Sequence, residues 1–261
     1  MTLQCVPFAV VDEPYCVWEF DVPKRNIEFL KSLDPDYFLY IVETNVDALE
    51  DEEYMHRAAM AVRMAYYQAL EMFFSLACAW IQAPNCTYAW LEIAKTGDLR
   101  RLVRRVNQNQ SFPLMLAKPS SNKLSWLIFS KAVFAHIPES EKKEENIKGF
   151  SGAWNRLSRD FLDPNNIAEY NALKHGARIS SGGFTLAVGI EDQPEKAVPA
   201  EECSFVGYSK WGSGFYKLEK LGPTEKTNRS YRSQKTFLNW TATSTAARVQ
   251  LLAISINNLI S

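Results

Sequence analysis

The side chains best suited to chemistry in this sequence lie in one short segment, EYNALKHGARISSGG, at residues 169–183. Lys174 and His175 lie three and four residues after Asn171, and Arg178 comes three residues after His175. Residues three and four apart lie on one face of a helix, so we expect these side chains to gather. The glycine that follows the histidine is the residue most often found in a left-handed helix cap, and it predicts where the helix ends.

This cluster has the groups that metal-independent cleavage of RNA requires. An imidazole titrates near neutral pH and transfers protons, while a lysine and an arginine hold a phosphate. His175, Asn171 and Lys174 are therefore candidate catalytic residues, with the 2′-hydroxyl of the RNA as the nucleophile, and Arg178 is a candidate substrate-binding residue. The alternative is an ordinary helix end, because the helix dipole favours lysine and histidine in a last turn.

The segment YNALKH, at residues 170–175, resembles the motif of the HEPN family, in which an arginine and a following polar residue precede a histidine by four to six positions. Asn171 and His175 match the polar residue and the histidine, and Tyr170 stands at the position of the arginine. The resemblance implies a helical bundle over residues 49–176. It also implies a ribonuclease of the kind found in bacterial toxins and in phage defence, with His175 central to its activity.

Charged residues on two other predicted helices add to the list of candidates. Glu71 lies in the most apolar segment of the chain, so it either faces water or is buried and paired with a cation such as Lys174 or Arg178. The segment RRLVRR places Arg100 and Arg104 on one side of a helix. An arginine-rich helix face can hold phosphates, which makes Glu71, Arg100 and Arg104 candidate substrate-binding residues, although a solvated face is the alternative.

The composition narrows the classes of function. A formal net charge of -1 argues against binding nucleic acid by bulk charge, so a nucleic-acid role must rest on a local patch. The three histidines lie far apart, and we expect neither a metal nor a cofactor. Five cysteines without a C-x-x-C pair predict reduced thiols in a cytoplasmic protein. Charged and polar residues interrupt the apolar segment 58–82, so we expect no membrane association.

Hydrophobic periodicity predicts the elements that position these groups. The strongest is a helix at residues 49–82, and further helices are predicted at 24–33, 87–97, 98–109, 121–137, 153–162, 167–175 and 241–260. Strands are predicted at 5–11, 15–22, 36–44, 184–190, 202–211 and 214–221. Residues 139–149 are predicted to form a charged connection. Asn166 and Glu169 have the spacing of a capping box, which starts the helix near Ile167.

These elements predict one α+β domain that is mostly helical. Its core is an antiparallel helical bundle at residues 49–176, with strand-rich flanks at 1–48 and 177–240 and a closing helix at 241–261. A small β-sheet comes from the N-terminal strands and a C-terminal hairpin region. We expect the strands at the two ends to pair with each other, because each is too short to be stable alone.

Two functions remain open from the sequence. One is a HEPN-like intracellular protein that acts on RNA or nucleotides in bacterial defence or in a toxin-antitoxin pair. The other is a non-catalytic interaction module that binds a protein partner or forms a homo-oligomer such as a homodimer, as the aromatic content favours. Convergence of Asn171, His175 and Arg178 in a pocket near Glu71 favours the first, and exposure of these side chains to solvent favours the second.

Overall fold

A computed structural model describes residues 3–111, 123–190, 198–221 and 230–260, and its fold is α+β and mostly helical, as the sequence predicts. The helices are α1 (Val22–Ser32), α2 (Asp36–Val46), α3 (Met55–Gln82), α4 (Thr87–Ile93), α5 (Thr96–Asn107), α6 (Trp126–Val133), α7 (Glu141–Leu162), α8 (Pro164–Lys174) and α9 (Ala242–Ile260). The strands are β1 (Gln4–Val10), β2 (Glu13–Glu19), β3 (Ser180–Ser181), β4 (Thr185–Val188), β5 (Ser204–Tyr208), β6 (Gly212–Lys220) and β7 (Tyr231–Asn239).

The described strands form separate antiparallel sheets. Strands β1 and β2 make a hairpin, β4 pairs with β5, and the third sheet has the order β3-β6-β7. The N-terminal strands therefore pair with each other, and the prediction that they pair with strands at the other end of the chain is wrong. The cause is local, because only Val11 and Asp12 separate the two strands and a short loop closes at low entropic cost. Val11 takes the positive φ of 57° that such a tight turn requires.

Two segments predicted to be non-helical form helices because their first turns are capped. Residues 36–44 were predicted as a strand but lie in α2, where the Asp34 carboxylate accepts the backbone N–H of Asp36 at 3.1 Å. Residues 139–149 were predicted as a charged connection but include the first part of α7, where the Ser140 hydroxyl accepts the N–H of Lys143 at 3.2 Å. A satisfied first turn outweighs the unfavourable composition in both segments.

The chain divides into two compact units. The first comprises Met1–Leu39, Tyr67–Asp163 and Gln250–Ser261, and the second comprises Tyr40–Tyr66 and Pro164–Val249. None of the helices in the described ranges is long and apolar enough to cross a membrane. The domain boundaries expected from the sequence, a single domain with its core at residues 49–176, stay a prediction.

The core of the first unit is built on aromatic side chains from three of its helices. Phe73 of α3 is fully buried, and its ring centroid lies 5.3 Å from that of Trp154 in α7. The ring of Trp154 is also 5.4 Å from Phe129 in α6, and its indole N–H donates to the Ser255 hydroxyl at 2.9 Å. These contacts make α3 a central helix of this unit, as its apolar periodicity predicts.

The β1–β2 hairpin is held to the helices of the first unit by polar contacts. The Gln82 side chain accepts the backbone N–H of Val11 at 3.0 Å and donates to its carbonyl at 2.9 Å. The same side chain accepts the indole N–H of Trp90 at 3.1 Å. Beside the turn, Arg105 pairs with Asp12 at 2.6 Å, and this hydrogen-bonded guanidinium lowers the pKa of the carboxyl below its ordinary value.

A disulfide joins Cys5 to Cys16 across this hairpin, with their Cα atoms 6.0 Å apart. The prediction that all five cysteines are reduced is therefore wrong for this pair, because spacing in the sequence does not show which strands will be neighbours. Cys78 and Cys86 are buried free thiols, and Cys203 is partly exposed. Burial raises the pKa of Cys78, and it raises the pKa of Cys86 to about 11.

Replacing Phe73 with Ala should lower the free energy of unfolding by about 3–5 kcal/mol, because it removes a fully buried ring from the aromatic core. Urea denaturation followed by tryptophan fluorescence measures the loss. Ile128→Ala on α6 is the control, since this side chain is 51% exposed and its loss should cost less than about 0.5 kcal/mol. Equal losses in the two variants would contradict the central position of Phe73.

Thiol labelling should distinguish the cysteines. Alkylation of the native protein at mildly alkaline pH should modify Cys203 first, because Cys78 and Cys86 are buried with raised pKa values. Denaturation without a reductant should expose these three thiols, and a reductant should add Cys5 and Cys16. Intact mass spectrometry counts the labels. Labelling of all five thiols without reduction would exclude the disulfide.

Candidate functional site

Helix α8, which carries the predicted catalytic cluster, begins three residues before the predicted start. Its first residue is Pro164, whereas the capping-box pattern placed the start near Ile167. Asn166 therefore lies inside the helix and not at its N-cap, and both the Asn166 and Glu169 side chains accept hydrogen bonds from Arg63 of α3. The Arg63 guanidinium thus binds the two side chains that the sequence pattern assigned to a helix cap.

The other end of α8 is as predicted. The last helical residue is Lys174, and Gly176 follows with a φ of +98°, so the left-handed cap is confirmed. Ala177 also has a positive φ, of 50°. The chain turns sharply here, and the backbone N–H of Arg178 donates to the carbonyl of Ala172 at 2.8 Å.

The predicted catalytic residues lie on the surface of the second unit. Asn171, Lys174 and His175 are exposed, and so is Arg178 beyond the cap. The Lys174 ammonium lies 5.4 Å from the centroid of the Tyr170 ring, a cation–π contact within the helix. The sequence therefore places these side chains correctly along one helix end, and the structure turns them toward solvent.

The remaining candidate residues lie in the first unit. Glu71 is partly exposed on α3, and its charge acts on Arg100 of α5. Burial lowers the pKa of Arg100, and the nearby carboxylate opposes that shift. The Nε atom of Arg100 is buried without a hydrogen-bond partner among the described residues, whereas Arg104 is exposed. Glu71 thus has its charged neighbour on α5, which the sequence did not indicate.

A buried ion pair that the sequence interpretation missed lies in the second unit. Arg63 of α3 donates to one carboxylate oxygen of Glu169 through Nε at 3.1 Å and through Nη2 at 2.7 Å. The other oxygen accepts hydrogen bonds from the Ser213 hydroxyl of β6 and, at 2.9 Å, from the indole N–H of Trp240. Both side chains of the pair are almost completely buried. Both oxygens of the carboxylate are satisfied, as burial of its charge requires.

Aromatic rings complete the surroundings of the guanidinium. Its carbon Cζ lies 5.1 Å from the ring centroid of Trp240 and 5.3 Å from that of Tyr66. The available signal in the sequence was Arg63 itself, since a charge in an apolar helix needs a buried partner. This network lies inside the unit, with its donors and acceptors directed at one another. We therefore assign it a structural role.

The outer face of the β6–β7 pair carries several exposed apolar side chains. In an antiparallel pair, residues directly opposite each other point to the same side. Tyr216 is opposite Lys235, and Lys220 is opposite Tyr231, so these four share one face with Leu218 between them. On the opposite face, Ser213 and Phe215 are buried. We call the outer set the aromatic face; its members are Phe184, Tyr216, Leu218, Lys220, Tyr231, Lys235 and Phe237.

The rings of this face are well exposed, and the Phe237 ring is in contact with its neighbours. Tyr216 is 70% exposed, Tyr231 53% and Phe237 41%. The Phe237 ring lies against Gly214, where an added Cβ would come within 2.9 Å of it, and its centroid is 5.5 Å from that of Phe184. The Lys235 ammonium lies 5.0 Å from the same ring centroid. The face therefore combines exposed aromatic surface with positive charge.

The sequence predicts only half of this face. It predicted β6 as a strand but did not predict β7, whose alternate residues Tyr231, Lys235 and Phe237 point the same way. The segment YRSQKTFLN has no clear period-2 alternation of apolar and polar residues, so it provides only a weak signal for a strand. Only the pairing register shows that the rings of the two strands lie together.

No protein-family model matches the chain, and neither a curated protein nor a solved structure matches it. Within the described ranges, no group of three or more His, Cys, Asp or Glu side chains could hold a metal ion.

Breaking the Arg63–Glu169 pair should be strongly destabilising. Arg63→Met and Glu169→Gln should each lower the free energy of unfolding by about 3–5 kcal/mol, because each leaves the partner's polar groups buried without their bonds. The double variant should lose less than the sum of the two single losses, which urea denaturation measures as a coupling energy. Arg101→Met is the matched control, since the Arg101–Asp98 pair is exposed and should contribute less than about 1 kcal/mol. Additive losses would contradict the buried pair.

The end of α8 allows a test that separates backbone from side-chain effects. Gly176→Ala should cost roughly 1–2 kcal/mol of stability, because an L side chain is strained at its positive φ although no atom lies within 4 Å of the added Cβ. Gly149→Ala, inside α7 with equally open space, should instead stabilise by about 0.5–1 kcal/mol. His175→Ala should change stability by less than about 0.5 kcal/mol, because the side chain is exposed. A large loss on His175→Ala would show that the histidine is structural.

Proposed function

We propose that this chain is a non-catalytic binding module whose aromatic face takes an anionic macromolecular partner. One observation carries the proposal: on one face, the described residues of β6 and β7 combine three well-exposed rings with two lysines and include no carboxylate. A contiguous patch of exposed apolar side chains on a protein surface often marks a binding site. The lysines give the face a positive charge, which complements a negatively charged partner.

The geometry supports binding better than metal-independent ribonuclease activity. Acid–base catalysis needs a proton-transfer group held at a fixed position beside the substrate, usually in a concave site. Asn171, Lys174 and His175 are exposed on the last turn of α8, where the helix dipole and the glycine cap account for their residue types. The HEPN-like ribonuclease suggested by the YNALKH segment therefore remains the second proposal, and it has no geometric support of its own.

The cytoplasmic location that the sequence favours is a separate proposal, and the Cys5–Cys16 disulfide argues against it. Disulfides are rare in cytosolic proteins, so the oxidation state of Cys5 and Cys16 in cells indicates where the protein is located. Alkylation in intact cells before lysis should modify both thiols if the chain is cytoplasmic. Protection of both thiols in intact cells would contradict this location.

Site-specific photo-crosslinking tests whether the aromatic face is occupied in cells. Tyr216 is replaced by p-benzoylphenylalanine, and the control carries the same replacement at Tyr40, which is 61% exposed on α2. We expect irradiation to give covalent adducts at position 216 in clear excess over position 40. The excess should fall when Lys235→Glu is added, because the positive charge beside the rings is then reversed.

Three results would overturn the proposal. The first is equal adduct yield at the two positions. The second is an adduct with the mass of two copies of this chain, which would make the face a homo-oligomer contact. The third is a measurable RNA-cleaving activity of the unsubstituted protein that His175→Ala abolishes, which would favour the ribonuclease. Light scattering that shows a strict monomer at high concentration would separately contradict the expected homo-oligomer.

A further inference from the structure

We infer that the occupant of the aromatic face is a single-stranded nucleic acid whose bases stack on Tyr216, Tyr231 and Phe237 and whose phosphates contact Lys220 and Lys235. This inference rests on the proposed binding function and names the chemical class of the partner. It differs from the expected nuclease role, because it uses the sheet in place of the histidine at the end of α8.

The arrangement of the rings matches what unpaired bases require. Phe237 is level with Gly214, Tyr216 lies two positions further along β6, and Tyr231 is level with Lys220. Alternate residues of a strand are about 7 Å apart, so the rings are spread along roughly 20 Å of one sheet face. Unstacked bases bind to such platforms regardless of sequence, since every base has a π face. A duplex cannot use them in this way, because its bases are already stacked on one another.

The aromatic face has the positive charge that binding to nucleic acid requires, although the chain as a whole does not. The chain has a formal net charge of -1, so nucleic-acid binding must rest on a local patch. Of the four basic residues in β6 and β7, Lys220 and Lys235 lie on the face with the rings. The other two lie on the opposite face with Glu219, the one acidic residue of these strands. Lys235 stands among the rings, directly across from Tyr216. The aromatic face is therefore a positive patch on a nearly neutral protein.

The same residues favour a nucleic acid over an acidic protein. Lysine and serine are depleted from the centres of protein–protein interfaces. Here Lys235 and Ser233 lie between the exposed rings, opposite Tyr216 and Leu218. A protein partner would have to desolvate the lysine within an apolar contact, whereas a nucleic acid supplies a phosphate for the lysine beside a base for the ring.

Fluorescence anisotropy of the purified full chain tests the inference. The probe is a labelled oligouridylate of roughly 12 nucleotides, within the length that single-stranded sites cover. The comparison probes are the corresponding single-stranded DNA and the RNA annealed to its complement. We expect both single strands to bind and the duplex to bind at least about tenfold more weakly, because stacking is lost.

Substitutions locate the binding. Tyr216→Ala and Phe237→Ala should each weaken binding by roughly 5- to 100-fold, the loss of one stacked base. Lys235→Gln should lower the slope of log affinity against log salt concentration by about 0.7, the value for one phosphate contact on a single strand. Tyr40→Ala and Lys142→Gln, on exposed helix positions, are the controls and should change neither quantity.

The outcomes separate this inference from the proposed function. No binding of either single strand, together with protein adducts at position 216 in the crosslinking experiment, would overturn the nucleic-acid inference and leave the binding function standing. Binding that His175→Ala abolishes while Tyr216→Ala and Phe237→Ala do not affect it would overturn both. Equal binding of duplex and single strand would show that attraction to the phosphates, and not base stacking, accounts for the binding. This result would also contradict the inference.

Discussion

The second unit depends on the buried pair between Arg63 and Glu169. A guanidinium and a carboxylate removed from water are tolerated only when every donor and acceptor finds a partner. The carboxylate therefore draws in a hydroxyl from β6 and the indole of Trp240, just before α9. One ion pair thus fixes the relation of α3, α8, the inner face of the sheet and the start of the last helix. Its geometric demand, more than its net energy, makes this part of the fold specific.

The two faces of the third sheet follow from this constraint. Ser213 points inward to reach Glu169, and the alternation of a strand then sends Tyr216 and Leu218 outward. A register shift of one residue would bury the rings and expose the serine, leaving a carboxylate oxygen without its donor. The rings are therefore exposed because the polar network holds the register. The exposed rings and the buried ion pair are two consequences of one strand pairing.

The cluster at the end of α8 shows why residue types alone misdirect a functional assignment. The last turn of a helix selects Lys and His for electrostatic reasons, and its cap selects Gly for backbone reasons. The same residues, at the same spacings, would serve a ribonuclease. What separates the two cases is whether a substrate-sized space closes around His175. In the second unit this side chain faces solvent.

The sequence by itself determined the class of the fold and most of its helices, because periodicity and capping are local properties. The end of α3 at Gln82, the cap at Gly176 and the closing helix α9 all follow from residues within a few positions of each other. The start of α3 was predicted at residue 49 but lies at Met55. Residues 36–44 and 139–149 were missed where a local cap overrode composition.

Tertiary structure decided everything that joins distant positions. The partner of Arg63 is 106 residues away, the Cys5–Cys16 bond needs the β1–β2 register, and the aromatic face needs β7 to pair with β6. Periodicity shows which side of an element is apolar, but it does not show which other element will meet that side. For this reason the sequence indicated a candidate site at the end of a helix, whereas the structure indicates one on the face of a sheet.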